Sequence, residues 1–188
     1  MMKRWSLLFM VSFVFCGSLQ AANVDLKKTW LRWKGEKVTG FHEGPLKIKK
    51  ASLKIEKGII KEGTFIVDMN SIGCDDMEKG KWRDKLLGHL KSDDFFSVKK
   101  FQTSVLKIKD SKPLKNGDLK VMGTLLIKGI EKPISFLAKK EGNGFKGELV
   151  FTRTHYDIKY KSGSFFKNLG DKMIYDDVKL SFLVNLKK

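Results

Sequence analysis

The sequence has 188 residues, with 41% hydrophobic and 31% charged side chains, which is the size and composition of one globular domain. Its 38 Lys and Arg residues exceed 21 Asp and Glu residues, and the net charge of +17 favours anionic partners such as a phospholipid surface. The apolar content excludes a wholly disordered chain, and the presence of only three prolines excludes a linker-rich or fibrous one.

The N-terminal segment, residues 1–21, has the three parts of a secretory signal peptide. Lys3 and Arg4 form a positive start, the run Trp5–Phe15 is uncharged and almost wholly apolar, and small residues follow up to Ala21. The apolar run is shorter than the roughly 20 residues that span a bilayer. We therefore predict cleavage after Ala21 and export to the periplasm, with an N-terminal anchor or a buried helix as the alternative. Export argues against nucleic acid as the anionic partner.

The chain after residue 21, predicted to form one domain over 22–188, alternates apolar and polar residues with a period of two. Val178–Leu186 is the clearest case, and such alternation is typical of a half-buried strand rather than a helix. It recurs in the segments 46–56, 65–70, 105–108, 119–128, 134–138 and 145–151. Turn signals, for example Asn116-Gly117 and Asn143-Gly144, separate these segments. The pattern predicts about eight antiparallel strands joined mostly by hairpins, closed into a barrel or stacked as a sandwich.

Residues 75–96 interrupt the strand pattern. Trp82, Leu86 and Leu90 are spaced four apart, which predicts a short helix over 81–90 with the three side chains on one face. The fold class is therefore all-β with one short helix.

A second irregular segment, residues 154–175, contains no clear periodicity and predicts a long loop. Each irregular segment holds a pair of adjacent aromatic residues, Phe95-Phe96 and Phe165-Phe166. Such pairs either line an opening for a ligand or pack the core where the sheet ends.

The residues that usually carry catalysis form no recognisable motif. The three histidines, His42, His89 and His155, lie far apart, and the sequence contains no HExxH, paired-cysteine, GxSxG or phosphate-loop pattern. We therefore predict no metal, no cofactor and no enzyme activity. A zinc site would need distant residues to converge in the fold. After export Cys74 is the single thiol, so an internal disulfide is excluded.

A barrel with an apolar interior and no recognisable motif of catalytic residues is typical of a binding protein. A barrel of about eight strands is either filled by side chains or holds one small ligand. Because each buried methylene contributes about 0.8 kcal/mol, a chain of about ten carbons would gain about 8 kcal/mol before entropic costs.

Five stretches of the sequence resemble the YceI-like family of exported, lipocalin-like proteins, over about residues 28–186. The most specific is Leu87–Val98, LGHLKSDDFFSV, which is similar to a family segment of the form LxGHLKSxDFFDV. The other stretches are Trp33–Gly44, Phe65–Ile72, Val121–Gly129 with Pro133, and Phe151–Ile158 with Gly170–Ile174. The chain departs from the family at Ser97, where Asp is common, and at Phe101-Gln102, where Tyr-Pro is frequent.

The resemblance implies an eight-stranded antiparallel barrel around an elongated apolar cavity for polyisoprenoid or other long-chain amphipathic ligands, with quinone and fatty-acid derivatives as further candidates. We therefore expect a periplasmic binding or carrier protein, with transient contact with an anionic membrane surface. One alternative is a basic envelope protein that uses the barrel as a scaffold. Another is an enzyme acting on a lipid, for which His42, His89 and Asp68 are the starting points. The oligomeric state stays open.

Since a barrel buries one face of each strand, the alternating apolar positions are the candidates for the cavity wall. The predicted ligand-binding residues are Trp33, Phe41, Leu46, Ile48, Phe65, Val67, Val121, Leu125, Phe136, Phe151, Val178, Leu180 and Phe182. For His42, His89, Asp93 and Arg153 we expect structural roles, through hydrogen bonds that close the barrel or fix the helical segment. The alternative is contact with the head group of a ligand, and Arg153 is included among the ligand-binding residues for this reason, because a guanidinium can bind phosphate in two places.

Overall fold

A computed structural model describes residues 20–187, which form an antiparallel β-barrel with one α-helix. The elements are β1 (Gln20–Ala22), β2 (Trp30–Lys37), β3 (Gly40–Glu56), β4 (Ile59–Asp68), α1 (Lys81–Lys91), β5 (Thr103–Pro113), β6 (Leu119–Ile127), β7 (Ile130–Glu141), β8 (Gly144–Thr152) and β9 (Ile174–Asn185). The barrel interpretation is confirmed and the sandwich is excluded. Most of the predicted signal peptide, residues 1–19, lies outside the described residues, whereas residues 20 and 21 belong to β1.

Strands β2 to β9 close the barrel in the order β3-β2-β9-β8-β7-β6-β5-β4, with β4 returning to β3. The long strand β3 makes closure possible, because its first half pairs with β2 and its second half pairs with β4. A bulge between Ile48 and Lys50 shifts the alternation of β3 by one residue. Ile48 and Leu53 therefore both face the interior although they are an odd number of residues apart.

The connections between strands lie at two opposite ends of the barrel. At the helix end are the turn 38–39, the α1-containing segment 69–102, the turn 128–129 and the segment 153–173. At the hairpin end are the turns 57–58, 114–118 and 142–143. The two irregular segments predicted from the sequence therefore meet at the same end. There His89 packs edge-on against Phe95 and Tyr160, with ring centroids 4.9 and 4.5 Å away.

The observed helix, Lys81–Lys91, matches the predicted range, but only part of its apolar face is covered. Leu90 is buried and Leu86 is half-buried, whereas the Trp82 side chain is 70% exposed. The helix thus seals the barrel with its C-terminal turn and leaves its N-terminal turn projecting into solvent.

Candidate functional site

An apolar cavity of about 120 Å³ lies inside the barrel. Side chains from all eight barrel strands line it, together with Met69, Ile72, Leu90 and Phe96 from the segment that contains α1. Every lining residue except Ser104 is apolar, so the wall can bind hydrocarbon but offers almost nothing to a charged group.

The structure brings most of the predicted ligand-binding residues together on this wall. They are Trp33, Leu46, Ile48, Phe65, Val67, Leu125, Phe136, Phe151, Val178, Leu180 and Phe182. Their convergence follows from the antiparallel register, in which Trp33 lies opposite both Leu180 and Gly44. Inward residues of neighbouring strands therefore form continuous rows around the barrel.

Further lining residues were not predicted from the sequence. On the strands they are Leu31, Leu53, Ile60, Ser104, Val105, Leu106, Ile108, Ile127, Ala138, Phe145, Leu149 and Val184. Strand alternation carries a signal for several of these, for instance Leu31 beside Trp33 and Leu149 beside Phe151. Among the four residues contributed by the α1-containing segment, Met69 continues the alternation of Phe65 and Val67, and Leu90 ends the apolar face of the helix. Neither pattern shows that the segment lies over the barrel end, because only the tertiary fold brings it there.

Two predicted cavity residues lie elsewhere. Phe41 is 46% exposed on the outer face, with the Lys34 Nζ atom 4.2 Å from its ring centroid. Side chains alternate between the two faces of a strand, and Phe41 is an odd number of residues from the inward-facing Leu46. Phe41 therefore faces outward, where it pairs with Glu36. Val121 does face inward, but it is fully buried among core side chains and does not reach the cavity.

For Arg153 the sequence left a structural role and a head-group role open, and its contacts in the structure are with the protein itself. Its side chain is 2% exposed and donates hydrogen bonds to the main-chain carbonyl oxygens of Ile158, Tyr160, Ile174 and Tyr175, at 2.9 to 3.1 Å. Its Nη2 atom also lies 3.1 Å from Asp176 Oδ1. Burial lowers the pKa of the guanidinium, and Asp176 opposes this shift. All three guanidinium nitrogens are thus occupied. Nη1 holds the segment 153–173 to itself, and Nε and Nη2 tie that segment to β9.

The candidate catalytic residues do not converge in the cavity. His42 contacts Asp76, His89 contacts Asp94, and Asp68 accepts a hydrogen bond from the Asn70 main chain. No ionisable side chain among residues 20–187 is part of the cavity lining. The arrangement offers a binding wall without a nucleophile or a general base.

A cavity of about 120 Å³ is slightly smaller than the roughly 150 Å³ engineered cavity that admits benzene in another protein. The cavity therefore has room for only a few carbon atoms of a hydrocarbon chain. A longer chain has to displace lining side chains or extend beyond one end of the barrel.

Exposed apolar side chains accumulate around the helix end. We define the helix-end rim as Val38, Phe41, Trp82, Phe165, Phe166 and Tyr175, each at least 44% exposed. Lysines accompany the aromatic rings, with Lys34 over Phe41, Lys85 over Trp82 and Lys159 over Phe165. The pair Phe95-Phe96 is directed inward, whereas the pair Phe165-Phe166 belongs to this exposed rim. No helix within residues 20–187 is both long and apolar enough to cross a membrane.

Comparisons with known proteins agree with this architecture. A family model described as a YceI-like domain matches residues 20–186. A UPF0312 protein of Shewanella denitrificans is 26% identical over 149 residues, covering 74% of this chain and 73% of the relative. Two solved structures share the fold. BcnA of Burkholderia cenocepacia has a TM-score of 0.70 and 19% identity, over 88% of this chain and 100% of that chain. A polyisoprenoid binding domain from Saccharophagus degradans, implicated in plant cell wall breakdown, has a TM-score of 0.58 and 14% identity, over 89% and 97%.

Proposed function

The chain belongs to the family of YceI-like domains, and on that premise we propose that it is a periplasmic carrier that holds the hydrocarbon chain of an isoprenoid or related amphipathic lipid inside its barrel. The observation that carries the proposal is the apolar cavity, walled by all eight barrel strands and free of ionisable side chains among the described residues. The polyisoprenoid binding named for the Saccharophagus degradans domain supports the same ligand class. The signal-peptide pattern of residues 1–21 supports the location.

The ligand chain enters at the helix end in this proposal. Hydrogen bonds between strands hold the part of the wall that the strands contribute. Met69 and Ile72 lie just after β4, outside the sheet, and Leu90 and Phe96 come from α1 and the residues that follow it. Movement of the Leu90 and Phe96 side chains would lengthen the cavity beyond its 120 Å³ without breaking a strand pair. A head group then remains outside the apolar wall. The excess of basic over acidic residues favours a phosphate there, and this excess remains large after loss of Lys3 and Arg4 with the signal peptide.

The proposal predicts that the protein co-purifies with lipid. We expect mass spectrometry of an organic extract, from protein isolated without detergent from a bacterial periplasm, to find about one isoprenoid or acyl chain per protein. Chains of about ten or more carbons are expected because each buried methylene adds about 0.8 kcal/mol. A clean extract, combined with failure to take up polyprenyl phosphate from vesicles, would refute lipid carriage and favour the scaffold alternative.

Loading from an anionic membrane surface is the second part of the proposal. The helix-end rim surrounds the end at which the ligand would enter, and it combines exposed aromatic rings with lysines. Aromatic side chains favour the interface between water and lipid, and each lysine near an anionic surface contributes about 1 kcal/mol. The rim therefore fits an anionic bilayer better than a neutral one.

Removal of one rim aromatic tests this contact. We expect Trp82→Ser to weaken binding to vesicles containing phosphatidylglycerol by about tenfold, which corresponds to about 1.4 kcal/mol. The matched control is Trp30→Ser, because Trp30 is 45% exposed but lies at the hairpin end. Sedimentation with vesicles at low and high salt measures both variants. Equal losses for the two variants, or binding that is insensitive to salt, would contradict docking through the rim.

A further inference from the structure

Three residues that are distant in sequence meet at the helix end, apart from the cavity wall. They are His42 near the start of β3 and Cys74 and Asp76 from the segment that follows β4. The His42 Nδ1 atom lies 2.7 Å from Asp76 Oδ2, and the Cys74 thiol donates to Asp76 Oδ1 over 3.3 Å. The three potential ligand atoms all lie within 4.8 Å of one another. Cys74 is 1% exposed, whereas the side chains of His42 and Asp76 remain partly open to solvent.

Main-chain contacts hold this cluster in place. The Gly73 amide donates to the Pro45 carbonyl at 3.0 Å, and the Asp75 amide donates to the Glu43 carbonyl at 2.9 Å. The close approach requires glycine at position 44, because a Cβ atom there would lie 2.2 Å from the Gly73 carbonyl oxygen. The cluster is therefore built on a backbone that β3 already fixes.

Charges of both signs surround the cluster. The carboxylates of Asp75 and Glu43 are paired with Arg32, at 2.8 and 3.5 Å, so the negative charge of the cluster itself comes from Asp76. Arg83 directs its Nε atom to the Cys74 carbonyl oxygen at 2.8 Å and so stabilises the same loop. Burial raises the pKa of the Cys74 thiol, and Asp76 adds to the shift, so the thiol is not an activated nucleophile in the metal-free protein.

We propose that His42, Cys74 and Asp76 bind one divalent transition-metal ion, with Zn²⁺ the best match and a water molecule completing a tetrahedral site. Imidazole nitrogen, thiolate sulfur and carboxylate oxygen are all ligands of zinc in proteins. Zinc bond lengths place such ligand atoms about 3.3–3.6 Å apart, and the three atoms already lie within 4.8 Å of one another. Binding replaces the thiol proton, which is released to solvent, and the contact between His42 and Asp76. This site is independent of the lipid proposal.

Cobalt is the probe that reports each ligand separately. We expect Co²⁺ added to the full chain in a C16S background, where Cys74 is the remaining cysteine, to bind at one ion per chain. A thiolate-to-cobalt charge-transfer band and the visible bands of a tetrahedral ion are expected, and Zn²⁺ should abolish both. Cys74→Ser should remove the charge-transfer band. His42→Ala should weaken Co²⁺ binding by more than the roughly 10–100-fold typical of residues that only support a ligand.

The matched control is His155→Ala, because His155 is an exposed histidine outside the cluster. This variant should bind Co²⁺ with unchanged affinity and spectrum. A second readout, the thermal midpoint with and without Zn²⁺, guards against a variant that fails to fold, since a real site raises the midpoint only while its ligands are present. Absence of the charge-transfer band in folded C16S protein, or equal binding by all variants, would overturn the site and leave the cluster as a hydrogen-bonded brace. Neither result would bear on the carriage of lipid.

Discussion

Replacement of Arg153 by methionine is expected to lower the free energy of unfolding by about 3–5 kcal/mol. Methionine fills much of the same volume but donates no hydrogen bond. The change leaves Asp176 without its cation and removes the arginine donor from four main-chain carbonyl oxygens, in contacts that are buried or part-buried. Urea denaturation of the wild type and the variant measures the difference.

Two further variants separate the charge of Arg153 from its geometry. Arg153→Lys keeps the charge, but a single ammonium cannot reach all the carbonyl oxygens, so an intermediate loss is expected. Adding Asp176→Asn to the methionine variant should restore part of the stability because it removes the unpaired carboxylate. A loss below about 1 kcal/mol for Arg153→Met, which is the range of an exposed ion pair, would show that other contacts hold the segment 153–173.

Phe182→Asp is expected to reduce the affinity for a long-chain lipid at least 100-fold. Phe182 lines the cavity on β9, and its ring packs edge-on against Phe136 at 5.6 Å. An aspartate carboxylate there faces an apolar wall, and its lost hydration costs several kcal/mol unless water enters the site of the ligand. Loss of about 2.7 kcal/mol of binding free energy already corresponds to 100-fold. Titration with a fluorescent long-chain fatty acid measures the change.

Two further variants serve as controls, one for the place of the substitution and one for a failure of the aspartate variant to fold. Leu137→Asp makes the same chemical change on β7, where the side chain is 49% exposed on the outer face, and it should leave binding intact. Phe182→Ala keeps the wall apolar and enlarges the cavity, so it should still bind lipid even if the aspartate variant folds poorly. Full lipid retention by a folded Phe182→Asp protein would place the ligand outside the barrel.

The sequence predicted the cavity wall well where strand alternation is regular. On β9, Val178, Leu180 and Phe182 are spaced two apart, and all three line the cavity. The prediction failed for Phe41 because it sits out of phase with the next apolar residues of its own strand. The bulge in β3 also shifts the alternation of inward and outward side chains within that strand. Leu46 and Leu53 both line the cavity although they are seven residues apart, an odd number that would place them on opposite faces of a regular strand.

Arg153 shows a different limit. An arginine side chain offers the same N–H donors whether it is buried inside the protein or binds a phosphate, so the residue type does not distinguish the two roles. The acceptors of Arg153 are main-chain carbonyl oxygens, which are present at every residue and therefore leave no mark in the sequence.

The sequence by itself determined most of the barrel strands, the helix Lys81–Lys91 and the face that most strands bury, because those properties depend on neighbours a few residues apart. It did not predict β1, whose first two residues it assigned to the signal peptide. The tertiary structure alone decided which residues meet across long separations. It closed β3 onto β4, laid Leu90 and Phe96 over the barrel end, and brought His42 to Cys74 and Asp76. These contacts depend on how the connections pack once the barrel has closed, and hydrophobic periodicity contains no information about that step.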